Sequence, residues 1–548
     1  MLSSPKRYKI ILLLLILAIA VFFRFYKLAE IPPALYPDVA MNGTNALDAI
    51  KTGDPVKFIT SFGTTGQGFK VFYPENNGRE GLFMNLIAAS FLTFGASVWA
   101  IKFVAALFGI FTVFGTYLLT RRLFKYFGTD ADSEIIALLS TFFLAISFWH
   151  VNFSRIGFRA IMVPFFLVWG LYFIFRGFDS DNRKSEIVNF IIAGLFFGLG
   201  FHTYIAFRIA PLIIVPLFII WIIKNRPRPK LAPWVIFVIF ALLAAAPLLY
   251  YYAKNPADFM GRAGQVSIFA SANPIKTLML STIKTLGQFV AIGDYNWRHN
   301  LAGSPEIFWP LIPFFIVGVF YSIFQIFKKQ NYVNKSYSLL AAHWTLLFAW
   351  GAMLLPSIAT AEGLPHALRS IGAIPPSYIF IGLGLYLVIQ NKKFQIQNYK
   401  TLLILFFIGL TSLVGIEYWR YFIFWAQNPN VKGAFEQRFV DEANYLNSLN
   451  LNIKKYVIVN EDGVAVPYPD GIPMPAQTIM FLTRINRPET LVTYFKRDET
   501  SKLPNCSNCS VVILPMKYDE NLFSQLKQKY PGGKIETLGE FSVLKIGF

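Results

Sequence analysis

The stretch "IILLLLILAIAVFFRFYKLAEIPPALYPDVA", residues 10–40, joins a long apolar run to a polar segment that carries Asp38. The apolar half, with its flanking residues, is long enough to cross the hydrocarbon core of a bilayer as a helix. The basic tetrapeptide "KRYK" at 6–9 precedes it, and no small-residue cleavage site follows it. We therefore predict an uncleaved first membrane helix, rather than a signal peptide, that leads into a loop.

The composition of the whole chain is that of a membrane protein. Of 548 residues, 55% are hydrophobic, 17% are aromatic and only 15% are charged, whereas about 25% of a soluble protein is charged. The net charge is +20, but Lys and Arg concentrate in short loops between apolar runs, where they set membrane topology. No basic face on a soluble fold is apparent, so we predict a lipid bilayer and no nucleic acid as a partner.

The basic loops predict the topology, because Lys/Arg-rich loops stay in the cytoplasm. They lie at 6–9, 121–125, 176–184, 224–230, 327–335 and 391–400. Between them we predict outward spans near 9–24, 135–151, 187–204, 232–252, 338–355 and 401–418, and return spans near 98–120, 161–178, 206–223, 306–327 and 375–390. This arrangement is a multi-pass plasma-membrane protein with about 11 transmembrane helices, a cytoplasmic N-terminus and an extracytoplasmic C-terminal region.

The first outer loop is long, from about residue 24 to residue 97. It contains "LYPDVAMNGTNALDAIKTGD" at 35–54, which reads as a helix opened by Pro37-Asp38 and closed by Gly53. The apolar segment "EGLFMNLIAASFLTFG" at 80–95 is too short to span a bilayer. We therefore predict that it forms an interfacial or re-entrant helix.

The composition changes near residue 421, which divides the chain into a transmembrane domain at 1–420 and an extracytoplasmic domain at 421–548. Three segments there read as strands, "KKYVIVNEDG", "SVVILP" and "FSVLKI", with helices near 434–448 and 519–529. The predicted fold class is an α-helical multi-span membrane protein with a small C-terminal α/β domain. In an oxidising exterior, Cys506 and Cys509 could pair as a short-loop disulfide. They are too few ligands for a structural zinc site, because the domain contains no histidine.

Ionisable residues collect on the predicted outer face, where they are functional candidates because their burial near a membrane is costly. They are Asp38, Asp48, Glu75, Arg79 and Glu80 in the first loop, and Arg155, Arg159, His202, Tyr204, Arg208, Asp258, Arg262, Asp294, Arg298, His299, Glu362, His366 and Arg369 in later loops. No HExxH, P-loop or GxSxG motif accompanies them. Carboxylates and arginines on one face suit transfer of a group from an anionic leaving group to a hydroxyl or amine.

Asp38 is the strongest single candidate. A position at a helix N-terminus would keep its carboxylate ionised through the helix dipole, as a base or an acceptor-binding group requires. The alternative interpretation is a plain N-cap, since Asp is a favoured capping residue.

The order of segments over the first ~200 residues resembles the GT-C glycosyltransferases, in particular bacterial relatives of the dolichyl-phosphate-mannose protein mannosyltransferases and the lipid A aminoarabinose transferases. The resemblance rests on "YPDVAMNGTNALDAIKTGD", "FYPENNGREGLFMNLIAASFLTFGAS", "WAIKFVAALFGIFTVFGTYLLTRRLF" and "SRIGFRAIMVPFF" in this order. It implies an inverting transferase that moves a sugar from a polyprenyl-phosphate donor to a protein, glycan or lipid acceptor on the outer membrane face.

The resemblance places Asp38 at the position of the family's catalytic acid and Arg79 where a basic residue faces the lipid phosphate. This chain departs from the family in having Val39 after Asp38, and Arg159 where relatives often have an Asp. The predicted site residues are the catalytic carboxylates Asp38, Glu75 and Glu80, the donor-phosphate ligands Arg79, Arg155, Arg159, Arg262 and Arg369, and the substrate-binding residues His202, Tyr204, Arg208, Glu362 and His366.

Two questions stay open at the level of sequence. Some members of the family need a divalent metal and others do not, and we assign no metal ligand here. A polysaccharide or lipid-linked glycan transporter or flippase is the alternative function, although such folds usually contain internal repeats, and none is found in this sequence.

Overall fold

The computed structural model describes residues 6–52, 69–180, 182–224, 227, 231–328, 334–391, 399–461, 471–505 and 509–548. Its α-helices in chain order are α1 (Lys6–Phe25), α2 (Pro37–Thr52), α3 (Leu82–Phe94), α4 (Val98–Leu123), α5 (Asp130–Ile146), α6 (Phe148–Ile156), α7 (Met162–Phe178), α8 (Arg183–Gly200), α9 (Pro211–Lys224), α10 (Ala232–Lys254), α11 (Pro256–Gln265), α12 (Pro274–Gly287), α13 (Ile312–Phe327), α14 (Asn334–Ile358), α15 (Ile374–Gln390), α16 (Tyr399–Tyr418), α17 (Pro429–Ala434), α18 (Gln437–Ser448), α19 (Gln477–Asn486) and α20 (Glu520–Lys529).

The strands are β1 (Phe72–Tyr73), β2 (Arg79–Glu80), β3 (Lys454–Val459), β4 (Val492–Lys496), β5 (Val511–Pro515), β6 (Lys534–Leu538) and β7 (Phe541–Ile546).

Packing divides the chain into two units. The helical unit comprises Met1–Leu28 and Lys102–Gln427, and the loop unit comprises Ala29–Ile101 and Asn428–Phe548. Residues 29–101 therefore group with the C-terminal region, whereas the predicted boundary at residue 420 places them with the transmembrane helices.

The predicted apolar spans coincide with helices, which confirms the multi-span fold class. Within the described residues, eight helices are long and apolar enough to cross a bilayer, and nine if a bent pair counts as one span. The total of eleven spans stays a prediction. The short helix predicted at 80–95 is α3, which has 13 residues.

The bent pair consists of α5 and α6, which meet at an angle of 54°. The sequence predicts one span at 135–151, but the helix breaks at Ser147, whose backbone leaves the helical region with φ −54° and ψ 119°. The Ser147 side chain accepts a hydrogen bond from the backbone N–H of His150 and so caps α6. The break therefore has a local chemical cause in the Ser147 cap.

Two glycines let α13 and α15 approach each other through their backbones. A Cβ added at Gly318 would lie 2.0 Å from the carbonyl oxygen of Phe380, and one added at Gly384 would lie 1.9 Å from that of Phe314. Small residues at such contacts permit close packing between membrane helices, where the hydrophobic effect contributes little.

We expect Gly384→Ala to lower the free energy of unfolding by about 1–3 kcal/mol, the usual cost of overpacking. The matched control is Gly409→Ala in α16, because a Cβ added at Gly409 meets nothing within 4 Å. Thermal unfolding of both purified variants measures the effect. Equal melting temperatures would show that α13 and α15 can separate without cost.

The loop unit contains a five-stranded sheet with strand order β4-β3-β5-β7-β6. Strand β3 pairs in parallel with β4 and β5, whereas β7 is antiparallel to both β5 and β6. The three strands predicted from sequence are the central ones, β3, β5 and β7, and both predicted helices are present as α18 and α20. The predicted α/β architecture of this region is therefore confirmed. Cys509 is disulfide-bonded, while Cys506 lies outside the described residues.

Candidate functional site

A polar stripe runs along α2. Asp38, Asn42 and Asn45 stand at positions i, i+4 and i+7 of this helix, so their side chains lie on one face. Other residues of α2 contact α19. The ring of Phe481 in α19 lies against Gly43 of α2, and Arg484 in α19 forms an ion pair with Asp48 of α2 at 2.5 Å. These contacts with α19 hold α2 in place, while Asp38, Asn42 and Asn45 lie on a different face of the helix.

The hairpin of β1 and β2 faces this stripe. Its strands pair Phe72 with Glu80 and Tyr73 with Arg79. In the connecting turn, Asn76 and Asn77 adopt left-handed conformations with φ of 55° and 62°, which Asn tolerates better than most residues with a side chain. The amide of Asn76 donates a hydrogen bond to Oδ1 of Asp38. The turn therefore orients the carboxylate of Asp38.

Arg79 joins the hairpin to α2. Its Nη1 donates to Oδ1 of Asn42 at 2.8 Å, its Nη2 donates to Oδ1 of Asn45 at 2.6 Å, and its Nε donates to the carbonyl of Glu75 at 3.3 Å. The side chain is 1% exposed and lies over the ring of Tyr73. These contacts hold the hairpin to α2, and the phosphate role of Arg79 stays a prediction. We call Asp38, Asn42, Asn45, Glu75, Asn76 and Arg79 the first-loop cluster.

The three predicted carboxylates differ in their surroundings. Asp38 is partly exposed, and its Oδ2 makes no hydrogen bond within the described part of the chain. Oε1 of Glu75 lies 3.9 Å from Nζ of Lys70, while Oε2 is buried and has no partner among the described residues. Glu80 is 2% exposed. The alternative interpretation of Asp38 as an N-cap is wrong, because α2 begins at Pro37 and Asp38 is its second residue.

Arg155 is committed to the backbone of the helical unit. Its Nη1 donates to the carbonyl of Phe23 at 2.9 Å, and its Nη2 donates to those of Tyr26 at 2.6 Å and Lys27 at 3.2 Å. The guanidinium thus bonds carbonyls in the last turn of α1 and in the two residues after it, at a helix end where carbonyls need partners from outside the helix. Its predicted phosphate role stays a prediction, while its observed contacts are structural.

The other predicted residues of the helical unit connect loops and helix ends. Arg159 lies 5.4 Å from the ring centre of Tyr204, Arg208 donates to the carbonyl of Phe259 and the hydroxyl of Tyr252, and Arg369 donates to Thr360 and to the carbonyl of Glu362. Nε2 of His202 lies 3.0 Å from the carbonyl oxygen of Ala244. Arg262 is in α11, and its side chain lies outside the described set.

Three side chains from two loops of the helical unit come together, and we call them the loop triad: Asp294, His299 and His366. Nδ1 of His299 lies 2.9 Å from Oδ2 of Asp294, and Nδ1 of His366 lies 3.8 Å from the same oxygen. All three side chains are mostly buried, with 5%, 6% and 16% of their surface exposed, respectively. One carboxylate and two imidazoles are a donor set that holds divalent metals in proteins.

Burial and neighbouring charges shift the pKa values of two members of the loop triad, Asp294 and His366. Burial alone raises the pKa of Asp294, but the hydrogen bond and charge of His299 outweigh it and hold that pKa below its usual range. Burial, with the charges of His299 and Arg369, lowers the pKa of His366 well below its usual range.

Sequence reasoning missed two features of these sites. Asn42, Asn45 and Asn76 were not predicted, although the helical spacing from Asp38 and the turn dipeptide before Gly78 were signals for them. The loop triad was also missed as a group, because Asp294 and His299 lie far in sequence from His366.

Comparison with known structures identifies the fold of this protein. The structure of ArnT from Cupriavidus metallidurans aligns with 99% of this chain and 98% of its own, with a TM-score of 0.55 and 13% sequence identity. Such a likeness shows the fold alone, and this chain has the fold of that ArnT structure.

Sequence comparison adds two findings. Residues 82–251 match the family described as dolichyl-phosphate-mannose-protein mannosyltransferase. The chain is also similar to the undecaprenyl phosphate-alpha-4-amino-4-deoxy-L-arabinose arabinosyl transferases of Pseudomonas aeruginosa (strain UCBPP-PA14) and Pseudomonas paraeruginosa, with 23% identity to each over 61% of this chain. The matched region spans 60% of the length of each relative.

Proposed function

We propose that this protein is a membrane glycosyltransferase that moves a sugar from a polyprenyl-phosphate-linked donor to a hydroxyl or amine acceptor on the outer face of the membrane. The fold, the matched family and the names of the similar arabinosyl transferases support this function. The similar ArnT structure is described as bound to undecaprenyl phosphate, which supports a phosphate-linked lipid as the donor here.

The observation that carries the proposal is the setting of Asp38. It is an oriented, partly exposed carboxylate in the first turn of α2, with Oδ1 held by Asn76. The helix N-terminus stabilises the ionised form of a carboxylate. A fixed carboxylate with one oxygen available is what a base for an incoming acceptor requires.

In the proposed reaction, an acceptor O–H or N–H approaches the anomeric carbon opposite the phosphate. The new bond to the anomeric carbon forms while the carbon–phosphate oxygen bond breaks, which inverts the configuration. The acceptor proton passes to Asp38, and the polyprenyl phosphate leaves with the electron pair of the broken bond. Arginines neutralise its developing charge, and Arg79, Arg155, Arg159, Arg262 and Arg369 are the candidates predicted from sequence.

Undecaprenyl phosphate is the sharpest probe of this proposal, because it is the expected leaving group whichever sugar is transferred. We expect it to bind the purified protein and to raise its melting temperature with concentration, as any ligand of the folded state does. The matched control is undecaprenol, which has the same chain without the phosphate. We expect it to bind at least about tenfold more weakly, because charge-assisted hydrogen bonds contribute about 1.5–3 kcal/mol. Equal binding of the two lipids, or of neither, would contradict a phosphate-linked donor.

A further inference from the structure

We propose that the loop triad binds one divalent transition-metal ion, with Zn²⁺ preferred, and that this ion ties together the outer loops at 288–308 and 359–370. The loops contribute two ligands and one ligand, respectively. This inference does not depend on the transferase function, because its measurements concern metal content and affinity.

The spacing of the donor atoms suits a tetrahedral ion. The three ligand atoms all lie within 4.8 Å of one another, and two of the separations are 2.9 and 3.8 Å. Ligand atoms about 2.0–2.1 Å from a tetrahedral Zn²⁺ stand about 3.3 Å apart. Shifts of a fraction of an ångström at His299 and His366 therefore create the site, with water at the fourth position.

Hydrogen bonds within the described structure leave Nδ1 of His366 without a partner. Oδ2 of Asp294 lies within hydrogen-bond distance of Nδ1 of His299 and accepts from the backbone N–H of Ala367, at 2.9 Å in each case. Nδ1 of His366 is buried and has no hydrogen-bond partner in the described structure. A buried polar atom without a partner is costly and calls for a water or an ion. A metal ion satisfies this nitrogen and engages the other two donors at once.

The loops that carry the ligands are held firmly by the helices below them. Asn152 in α6 donates to the carbonyl of Arg298 at 2.7 Å, and Trp149 in the same helix donates to the carbonyl of Ala367 at 3.2 Å. The indole of Trp425 donates to the carbonyl of Trp297 at 3.0 Å. These anchors stand next to ligand residues in both loops, so they limit the reorganisation that metal binding requires.

The chemistry of the loop triad selects the metal. Imidazole nitrogen suits Zn²⁺ and related transition metals, whereas Mg²⁺ and Ca²⁺ prefer oxygen ligands.

The test is the metal content and zinc affinity of the full-length protein, purified without chelator. We expect about one zinc ion per chain by elemental analysis, and competition with a chromophoric chelator then gives the affinity. His366→Asn should weaken zinc binding by at least about 10- to 100-fold, since the loss of even an outer-shell partner has that effect. His299→Gln serves as the second ligand variant, in case the first does not fold.

The matched control is His202→Asn, because His202 is a buried histidine of the same unit that contacts the carbonyl of Ala244 and is outside the loop triad. It should bind zinc like the wild type. Cobalt substitution adds a spectroscopic readout, and we expect d–d bands typical of tetrahedral nitrogen and oxygen ligation that are lost in the triad variants. A wild-type protein without stoichiometric zinc affinity, or triad variants that bind zinc with unchanged affinity, would overturn the proposal.

Discussion

Asp38→Asn should lower sugar transfer at least about 100-fold, the scale of a lost general base, while the melting temperature stays close to that of the wild type. Asparagine has the shape of aspartate, and its Oδ1 can still accept the hydrogen bond from Asn76. The substitution removes the charge and the basicity. Its effect on the helix dipole is below about 1 kcal/mol, so stability and turnover should separate clearly.

Asp48→Asn is the matched control for this experiment. Asp48 is in the same helix and pairs with Arg484, with 52% of the aspartate side chain exposed. An exposed ion pair contributes at most about 1 kcal/mol, so this variant should transfer sugar like the wild type. Normal turnover in Asp38→Asn would leave the carboxylate with a structural role only and would remove the base from the proposed reaction.

The sequence predicts the fold through the apolar runs and the buried strands. Segments such as 371–390 contain long stretches of apolar residues that only a membrane or a protein core can cover, so their helices are evident from composition. The strands β4 and β6 were missed because both are edge strands with partly exposed, polar residues. The pattern of an edge strand is weak because one of its sides has no partner.

The candidate site was predictable from sequence only for residues whose own local sequence marks them as functional. Asp38 stands out because it is acidic, follows an apolar span and opens a helix. The loop triad gives no such local signal, since 72 residues separate Asp294 from His366 and only the packing of two loops joins them. For the arginines, the sequence identifies charge but not its partner, and the carbonyls that Arg155 contacts lie about 130 residues earlier in the chain.

The second large effect concerns Arg155. Arg155→Ala should lower the free energy of unfolding by about 3–5 kcal/mol in the absence of any sugar donor, because it removes the charge-assisted hydrogen bonds of a buried arginine, one of which goes to the carbonyl of the buried Phe23. Arg24 makes the reciprocal contact, from α1 to the helix pair α5–α6. It donates to the carbonyls of Ala145 at 2.9 Å and Leu144 at 3.4 Å, at the C-terminal end of α5. The two arginines therefore join α1 to the bent helix pair α5–α6. The loss of either arginine should weaken the packing of α1 against this pair.

Arg159→Ala separates this structural role from donor binding. Arg159 is half-buried and lies against Tyr204, so we expect a small change in melting temperature and an undecaprenyl phosphate affinity about 10- to 100-fold lower, the effect of one lost charged contact. Melting curves and lipid affinities of Arg155→Ala and Arg159→Ala, measured side by side, distinguish the roles. If Arg155→Ala melts like the wild type but no longer binds undecaprenyl phosphate, Arg155 is a phosphate ligand and its contacts with α1 are dispensable. A large loss of stability with the lipid affinity retained in the folded fraction establishes Arg155 as the residue that holds α1 to α6.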